Sequence, residues 1–241
     1  MQIRDRLRMD LMAYHRDRQL SHLGSSLSCL EALTALFWGP LRPTDSFVLS
    51  KGHAASLQYL ILHLKGLISD QELQDSCRNG GILTAHPPFL NVQKHPWFGF
   101  GSGSLGYGLG LACGKALGFQ IQNKDSRSYV LLSEGDLNEG STWEALNFAI
   151  ARKLTNLTVL LDRNYHQSLG TTESIFPLDH LPQTLKAMGW NFIEQDGHDL
   201  ENIQFPVSAS SPTFILLKTQ KNRGIEDHLS PLEAHYKWVN S

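Results

Sequence analysis

Cysteine is scarce. Cys29, Cys77 and Cys113 are odd in number and lie far apart in apolar or helical surroundings, which argues against a disulfide framework and against a zinc site. Long apolar runs are absent: none reaches the roughly 18 residues that a membrane-spanning helix needs. The N-terminus, "MQIRDRLRMD", is charged where a secretory leader would be apolar. Neither sign of charge is in excess, since 21 basic and 23 acidic side chains give a formal charge of −2. That balance offers no electrostatic case for nucleic acid or for an anionic membrane. A reducing, cytoplasmic compartment is expected. What the 241 residues do contain is 41% hydrophobic side chains, enough to bury a full core as one α/β domain spanning 1–241.

The apolar residues set the element pattern. Ile3, Leu7, Leu11 and Tyr14 recur at three- and four-residue spacing, which predicts an amphipathic helix over about 3 to 18. "SHLGSS" reads as a loop, Ser28 to Phe37 as a second helix, and His53 to Lys65 as a helix ending at Gly66. Ser69 followed by Glu72 predicts a capping box. Phe47–Leu49, Tyr129–Leu132, Leu157–Leu161, Asn191–Glu194 and Thr213–Leu217 are short β-type runs with helical segments between them, the pattern of a parallel sheet flanked by helices. The tail from about 218 is polar and extended, with a short helix from about Pro231.

One strand runs straight into acid: "LLSEGDLNEGS", Leu131 to Ser141, carries Glu134, Asp136 and Glu139. In a parallel sheet, ligands bind beyond the carboxyl ends of the strands. The next strand ends in Asp162 and Asn164, so two neighbouring strand ends offer oxygen ligands of the kind that suit Mg²⁺ or Ca²⁺. A solvated turn or helix cap is the plain alternative for such a loop.

Spacing adds to this. The stretch resembles the thiamine-diphosphate motif of transketolases, a Gly-Asp-Gly with an asparagine roughly thirty residues on. Aligning Glu139-Gly140 with the family's Glu-Gly puts Ser133-Glu134-Gly135 over the Gly-Asp-Gly, and Asn164 then falls 30 residues after Glu134. Glutamate thus stands where the family has its metal-binding aspartate, and Asp136 lies two residues too late. Further matches follow in order along the chain: "SHLGSSLS" with His22, "LSKGHAA" with His53, "AHPP" with His86, "GSGSLGYGLG" with Gly103, Ser104 and Leu105, and "AMGWNFIEQDGHD" leading to Asp196–Asp199.

The resemblance implies a pyrophosphate-type, thiamine-diphosphate-binding domain in which His22, His53 and His86 converge on the reacting end of the cofactor. A divalent ion would be held by Glu134, Asn164 and the backbone carbonyl of His166, while Gly135 lets the backbone approach the diphosphate. Leu105 would pack beside the cofactor rings, with Gly103 and Ser104 alongside. Glu139 either faces a dimer interface or caps a helix. A further family histidine lies near the domain's end, where "GIEDHLSP" offers His228, with an exposed loop residue as the alternative. His198 is expected to be structural, and His15, His63, His95, His180 and His235 are assigned no role.

Intact transketolases are much longer, with a second domain that binds the aminopyrimidine and supplies the activating glutamate. The expectation is therefore the N-terminal subunit of a split transketolase in an α2β2 assembly, transferring a two-carbon ketol unit between phosphorylated sugars. The alternatives are a specialised synthase of secondary metabolism and a non-catalytic subunit. The second of these is motivated by Glu134 and by Arg163, Tyr165 and His166 around Asn164.

Overall fold

The computed structural model describes residues 2–92, 94, 96–206 and 209–239, and His95 lies outside the described residues. The chain begins with helix α1 (Ile3–Arg18), whose Leu7, Leu11 and Tyr14 are buried at the predicted spacing. It ends at Gln19, which turns left-handed and returns its N–H to the last carbonyls. Helices α2 (Leu23–Ser28) and α3 (Leu30–Trp38) follow, broken only at Cys29. The segment expected to be a loop is therefore mostly helix. Its Leu23 and Leu27 continue the apolar stripe of Leu30 and Leu33 and are fully buried, so tertiary burial outweighs the glycine and serines.

Strand β1 (Ser46–Leu49) leads through a 3-10 turn (Gly52–Ala54) into α4 (Ala55–Leu64). Helix α5 (Asp70–Asp75) starts with the capping box predicted at Ser69 and Glu72. Helix α6 (Gly108–Ile121), strand β2 (Ser128–Ser133), a 3-10 turn (Glu134–Asn138) and helix α7 (Gly140–Ala151) come next. Strand β3 (Leu157–Arg163) is followed by a small antiparallel hairpin, β4 (His166–Gln167) with β5 (Gly170–Thr171). Helices α8 (Thr172–Ile175) and α9 (Leu181–Met188), strands β6 (Asn191–Asp196) and β7 (Thr213–Lys218), and helix α10 (Glu233–Tyr236) complete the order.

The main sheet has the order β1-β2-β3-β7-β6 with every pair parallel. Its central strands are buried on both faces, as a parallel sheet between helices requires. Tyr129, Leu131, Leu160, Ile215 and Leu217 join the core shared with α1 to α4. Val130, Leu132, Val159, Leu161, Phe214 and Leu216 join the opposite core under α6, α7 and α9. The register sets Ser133 beside Asp162, and Asp162 beside Leu217, so the carboxyl ends of β2, β3 and β7 finish level.

Beneath that edge lies a fully buried ion pair. Lys51 Nζ and Asp162 are in contact, and Asp162 also accepts from Ser28 Oγ at 2.6 Å, from Asn164 Nδ2 at 2.9 Å and from Thr219 Oγ1. Ser28 in turn accepts from Lys51 at 3.0 Å. Burial alone would depress the lysine's pKa and raise the aspartate's, but each partner overrides it, so both stay charged. Removing Lys51 leaves an uncompensated buried carboxylate, which costs about 3–5 kcal/mol. Lys51→Met is expected to lower the urea midpoint accordingly, and Lys51→Met/Asp162→Leu to recover much of the loss; a midpoint unchanged in the single variant would show that the pair contributes nothing.

Candidate active site

The turns after β1, β2, β3 and β7 open onto one cleft at the carboxyl edge of the sheet. Its volume of about 250 Å³ lies slightly below the roughly 300–1,000 Å³ typical of small-molecule sites. His22, His53, His86 and His235 line it. Ring centroids lie 5.6 Å apart for His22 and His53, 6.1 Å for His22 and His86, and 4.6 Å for His22 and His235.

Each histidine is placed by its own element. His22 sits at the N-cap of α2 with φ 71°, a left-handed conformation uncommon outside glycine. Its Nδ1 is within 2.8 Å of Ser21 Oγ. His53 rides the 3-10 turn after β1, directly beyond Lys51. His235 arrives on α10, 213 residues from His22, because that helix packs on α2. Gly24 makes this possible: a Cβ there would stand 2.7 Å from Ala234 Cβ and 2.8 Å from the Lys221 carbonyl. The His22 N–H donates to the His235 carbonyl at 2.8 Å and fixes the contact.

All four imidazoles are held neutral near pH 7. Burial lowers His22 to about 4, helped by His86, and lowers His235 to about 3, helped by Lys221. Burial, then the Lys51 charge, pushes His53 well down, and burial lowers His86. A neutral ring can accept a hydrogen bond from a substrate hydroxyl at one nitrogen and donate one from the other.

The acidic stretch divides its labour. Asp136 is fully buried and accepts from Ser50 Oγ at 2.6 Å, Gly106 N at 2.9 Å, Ser133 N at 2.7 Å and Ser133 Oγ at 2.8 Å. It ties the β1 and β2 ends to the glycine turn, so its task is structural. Glu139 is exposed at the N-cap of α7 and makes no side-chain cap bond there. Glu134 is buried at the cleft wall, and its Oε1 is in contact with Arg163 Nη1. Burial raises the Glu134 pKa in spite of Arg163.

The expected metal ligands are therefore already engaged. Arg163 holds Glu134 Oε1, Lys221 Nζ donates to the His166 carbonyl at 3.2 Å, and Asn164 Oδ1 accepts from the His166 N–H at 3.1 Å. Glu134 Oε2 makes no hydrogen bond, but Thr172 acts on this carboxylate and lowers its pKa. The Thr172 hydroxyl is likewise buried and unbonded, so a small rotation of it satisfies both oxygens. With cations on two of the three donors, this set does not fit a divalent ion.

The organic cofactor fits better. Gly135 lines the cleft, and a Cβ there would stand 2.7 Å from Leu105 Cδ1. A larger residue there would push the end of the Leu105 side chain aside. Gly103, Leu105, Asn164 and His166 also line the cleft, whereas Ser104 and Glu139 are exposed outside its lining.

His228 requires a correction. It is exposed in the turn before α10, where its N–H bonds the Ile225 carbonyl, and does not line the cleft. His235, given no role from the sequence, takes the inner place; no local signal marks it, since the packing of α10 on α2 at Gly24 and the bond from the His22 N–H bring it in. Lys221 was also missed. It is buried on the cleft wall, and burial, then the Lys51 charge, lowers it to about 8. His198 is structural, bridging Glu31 Oε2 at 2.9 Å and the Gln220 N–H at 2.8 Å. Of the others, His15 bonds Ser56 Oγ at 2.7 Å, His63 pairs with Asp70 at 2.7 Å, and His180 stacks on Trp143.

A parallel sheet covered by helices on both faces, with a histidine-lined cleft at its carboxyl edge, places the chain among the doubly covered α/β domains. Residues 22–235 match the family described as the transketolase, thiamine diphosphate binding domain, and the chain belongs to that family. It is 32% identical over 231 residues to an apulose-4-phosphate transketolase subunit of Phocaeicola vulgatus, covering 90% of this chain and 79% of that protein. It is 33% identical over 230 residues to the 6-deoxy-6-sulfo-D-fructose transketolase subunit SqwG of Clostridium sp. strain MSTE9, covering 90% and 82%. Among solved structures, Campylobacter jejuni transketolase superposes with a TM-score of 0.78 at 26% identity, over 90% of this chain but 37% of that one.

The neutral histidines give a pH signature. Their folded pKa values lie below the unfolded value of about 6.5, so between pH 6.5 and 4 the unfolded chain binds more protons and stability falls as pH falls. The urea midpoint is expected to drop between pH 7 and 4.5, and to drop less in His235→Phe; equal slopes for the two chains would remove His235 from the neutral cluster.

Proposed function

We propose that this chain is the cofactor-diphosphate half of a split, thiamine-diphosphate-dependent transketolase. It moves a two-carbon ketol unit from a ketose to an aldose, the substrates being phosphorylated or similarly anionic sugars. The observation that carries this reading is the convergence of His22, His53 and His86 beside Gly135 and Asn164 at one strand edge, from separate stretches of sequence. The two relatives of comparable length are both named as transketolase subunits. This supports a companion chain that brings the pyrimidine-binding domain, in an α2β2 assembly. The convergence of neutral histidines weighs against the non-catalytic alternative.

Thiamine diphosphate, when bound, supplies the carbon nucleophile and the electron sink for breaking and making the carbon–carbon bond. This chain's own groups would supply part of the rest, and the companion's domain the remainder. Gly135 and Asn164 would hold the diphosphate end, and Leu105 would flank the rings. His22, His53, His86 and His235 would accept hydrogen bonds from substrate hydroxyls and carry protons across the reacting atoms. The three cysteines are free thiols, which supports a reducing, cytoplasmic setting. No helix among the described residues is long and apolar enough to cross a membrane.

Two outcomes follow. The purified chain alone is expected to show no ketol transfer and to gain it on mixing with its companion; full turnover by the chain alone would overturn the split assembly. In the assembled enzyme, His53→Ala is expected to lower kcat/KM by about 10²-fold or more while cofactor affinity changes little. Unchanged turnover would take His53 out of the site.

A further inference from the structure

The wall of the cleft where a divalent ion would sit holds two cations of its own. Arg163 ends β3 and turns away from Asp162, whose side chain points to the opposite face of the sheet. Its guanidinium lies behind Glu134, outside the cleft lining, and grips Glu134 with one nitrogen and Glu173 with another. The Tyr165 ring packs on it at 4.3 Å. Arg163 and Glu134 are both about 95% or more buried, so the guanidinium is fixed by two carboxylates and a ring. Such a pair is strongly held once formed, because withdrawing either charge leaves the other buried and unpaired. In front of it, Lys221 faces the cleft and donates to the His166 carbonyl.

We propose that the Glu134–Arg163 pair closes the divalent-cation site of this chain, and that the cofactor's diphosphate is held without a metal ion, facing Lys221 while Arg163 neutralises Glu134 from behind. The electrostatics are equivalent. A divalent ion on a single carboxylate leaves one net positive charge facing the diphosphate. Glu134, Arg163 and Lys221 also leave one inside the wall, since Glu173, the second carboxylate on Arg163, is 41% exposed and its charge is screened by water. Adding a divalent ion on top would place three net positive charges in a largely buried wall, at a high desolvation cost. The added methylene of glutamate also has a use here: it lets the carboxylate reach back to Arg163, a contact that the resemblance to an aspartate-bearing family did not suggest. The two departures from the family's motif, Glu134 and Arg163, thus compensate each other.

This inference rests on thiamine diphosphate binding at the cleft, and the experiment separates the two. The full chain, assembled with its companion, is titrated calorimetrically with thiamine diphosphate in excess EDTA and again in millimolar Mg²⁺. Affinities within about threefold of each other are expected. Binding that appears only with Mg²⁺ would overturn the metal-free site while leaving the cofactor reading intact. Binding in neither condition would overturn both. Arg163→Leu, checked for folding by its melting curve, frees the Glu134 charge to face the diphosphate. It is expected to weaken binding in EDTA at least tenfold and to recover in Mg²⁺. Glu134→Asp/Arg163→Leu is expected to gain the same Mg²⁺ dependence. Wild-type affinity for Arg163→Leu in EDTA would refute the role given to the guanidinium.

Discussion

The site depends on one buried ion pair. Lys51 and Asp162 have no exposed surface, and their hydrogen bonds reach Ser28 on α2, Asn164 after β3 and Thr219 after β7. A pair of charges in such surroundings persists only when its remaining lone pairs and protons are satisfied. Meeting that condition positions four chain segments at once. His53 follows Lys51 by two residues, Asn164 follows Asp162 by two, and Lys221 follows Thr219 by two, so the geometry of the cleft is inherited from a network that lies mostly beneath it.

Asp136 plays the matching part on the other side of β2. Its four accepted hydrogen bonds gather Ser50, Ser133 and Gly106, which seats the glycine turn over the strand ends and brings Leu105 against Gly135. Two aspartates therefore brace the cleft from below while the carboxylate in its wall, Glu134, is neutralised from behind by Arg163. The acidity that first suggested a cation site is largely consumed inside the protein. What lines the cleft is the imidazoles of His22, His53, His86, His166 and His235, the amides of Asn164 and Gln167, the paired carboxylate of Glu134 and one ammonium group, a surface suited to a polyanion with a reactive uncharged end.

Much of this was legible in the sequence because the signals are local. All five main-sheet strands appear where β-type runs were read, and the capping box at Ser69 and the stop at Gly66 hold. Parallel pairing follows from the alternation of strand and helix, since a parallel neighbour needs a crossover. The histidine assignments at 22, 53 and 86 rested on motifs carried by resemblance, and the fold brings those three residues together.

Three features were decided only by tertiary structure, and for one reason: each depends on a contact between residues distant in sequence. "SHLGSS" is polar enough to read as a loop, yet packing against α1 and α10 makes most of it helix. His235 and His228 cannot be ranked by their own neighbours; a glycine 211 positions before His235 leaves the room in which α10 packs and carries His235 inward. Glu134 reads as a metal ligand by register alone, because the spacing to Asn164 is a property of the chain. That its charge is taken by Arg163, 29 residues on, is a property of two adjacent strand ends meeting in space, where burial makes the pairing of a charge unavoidable.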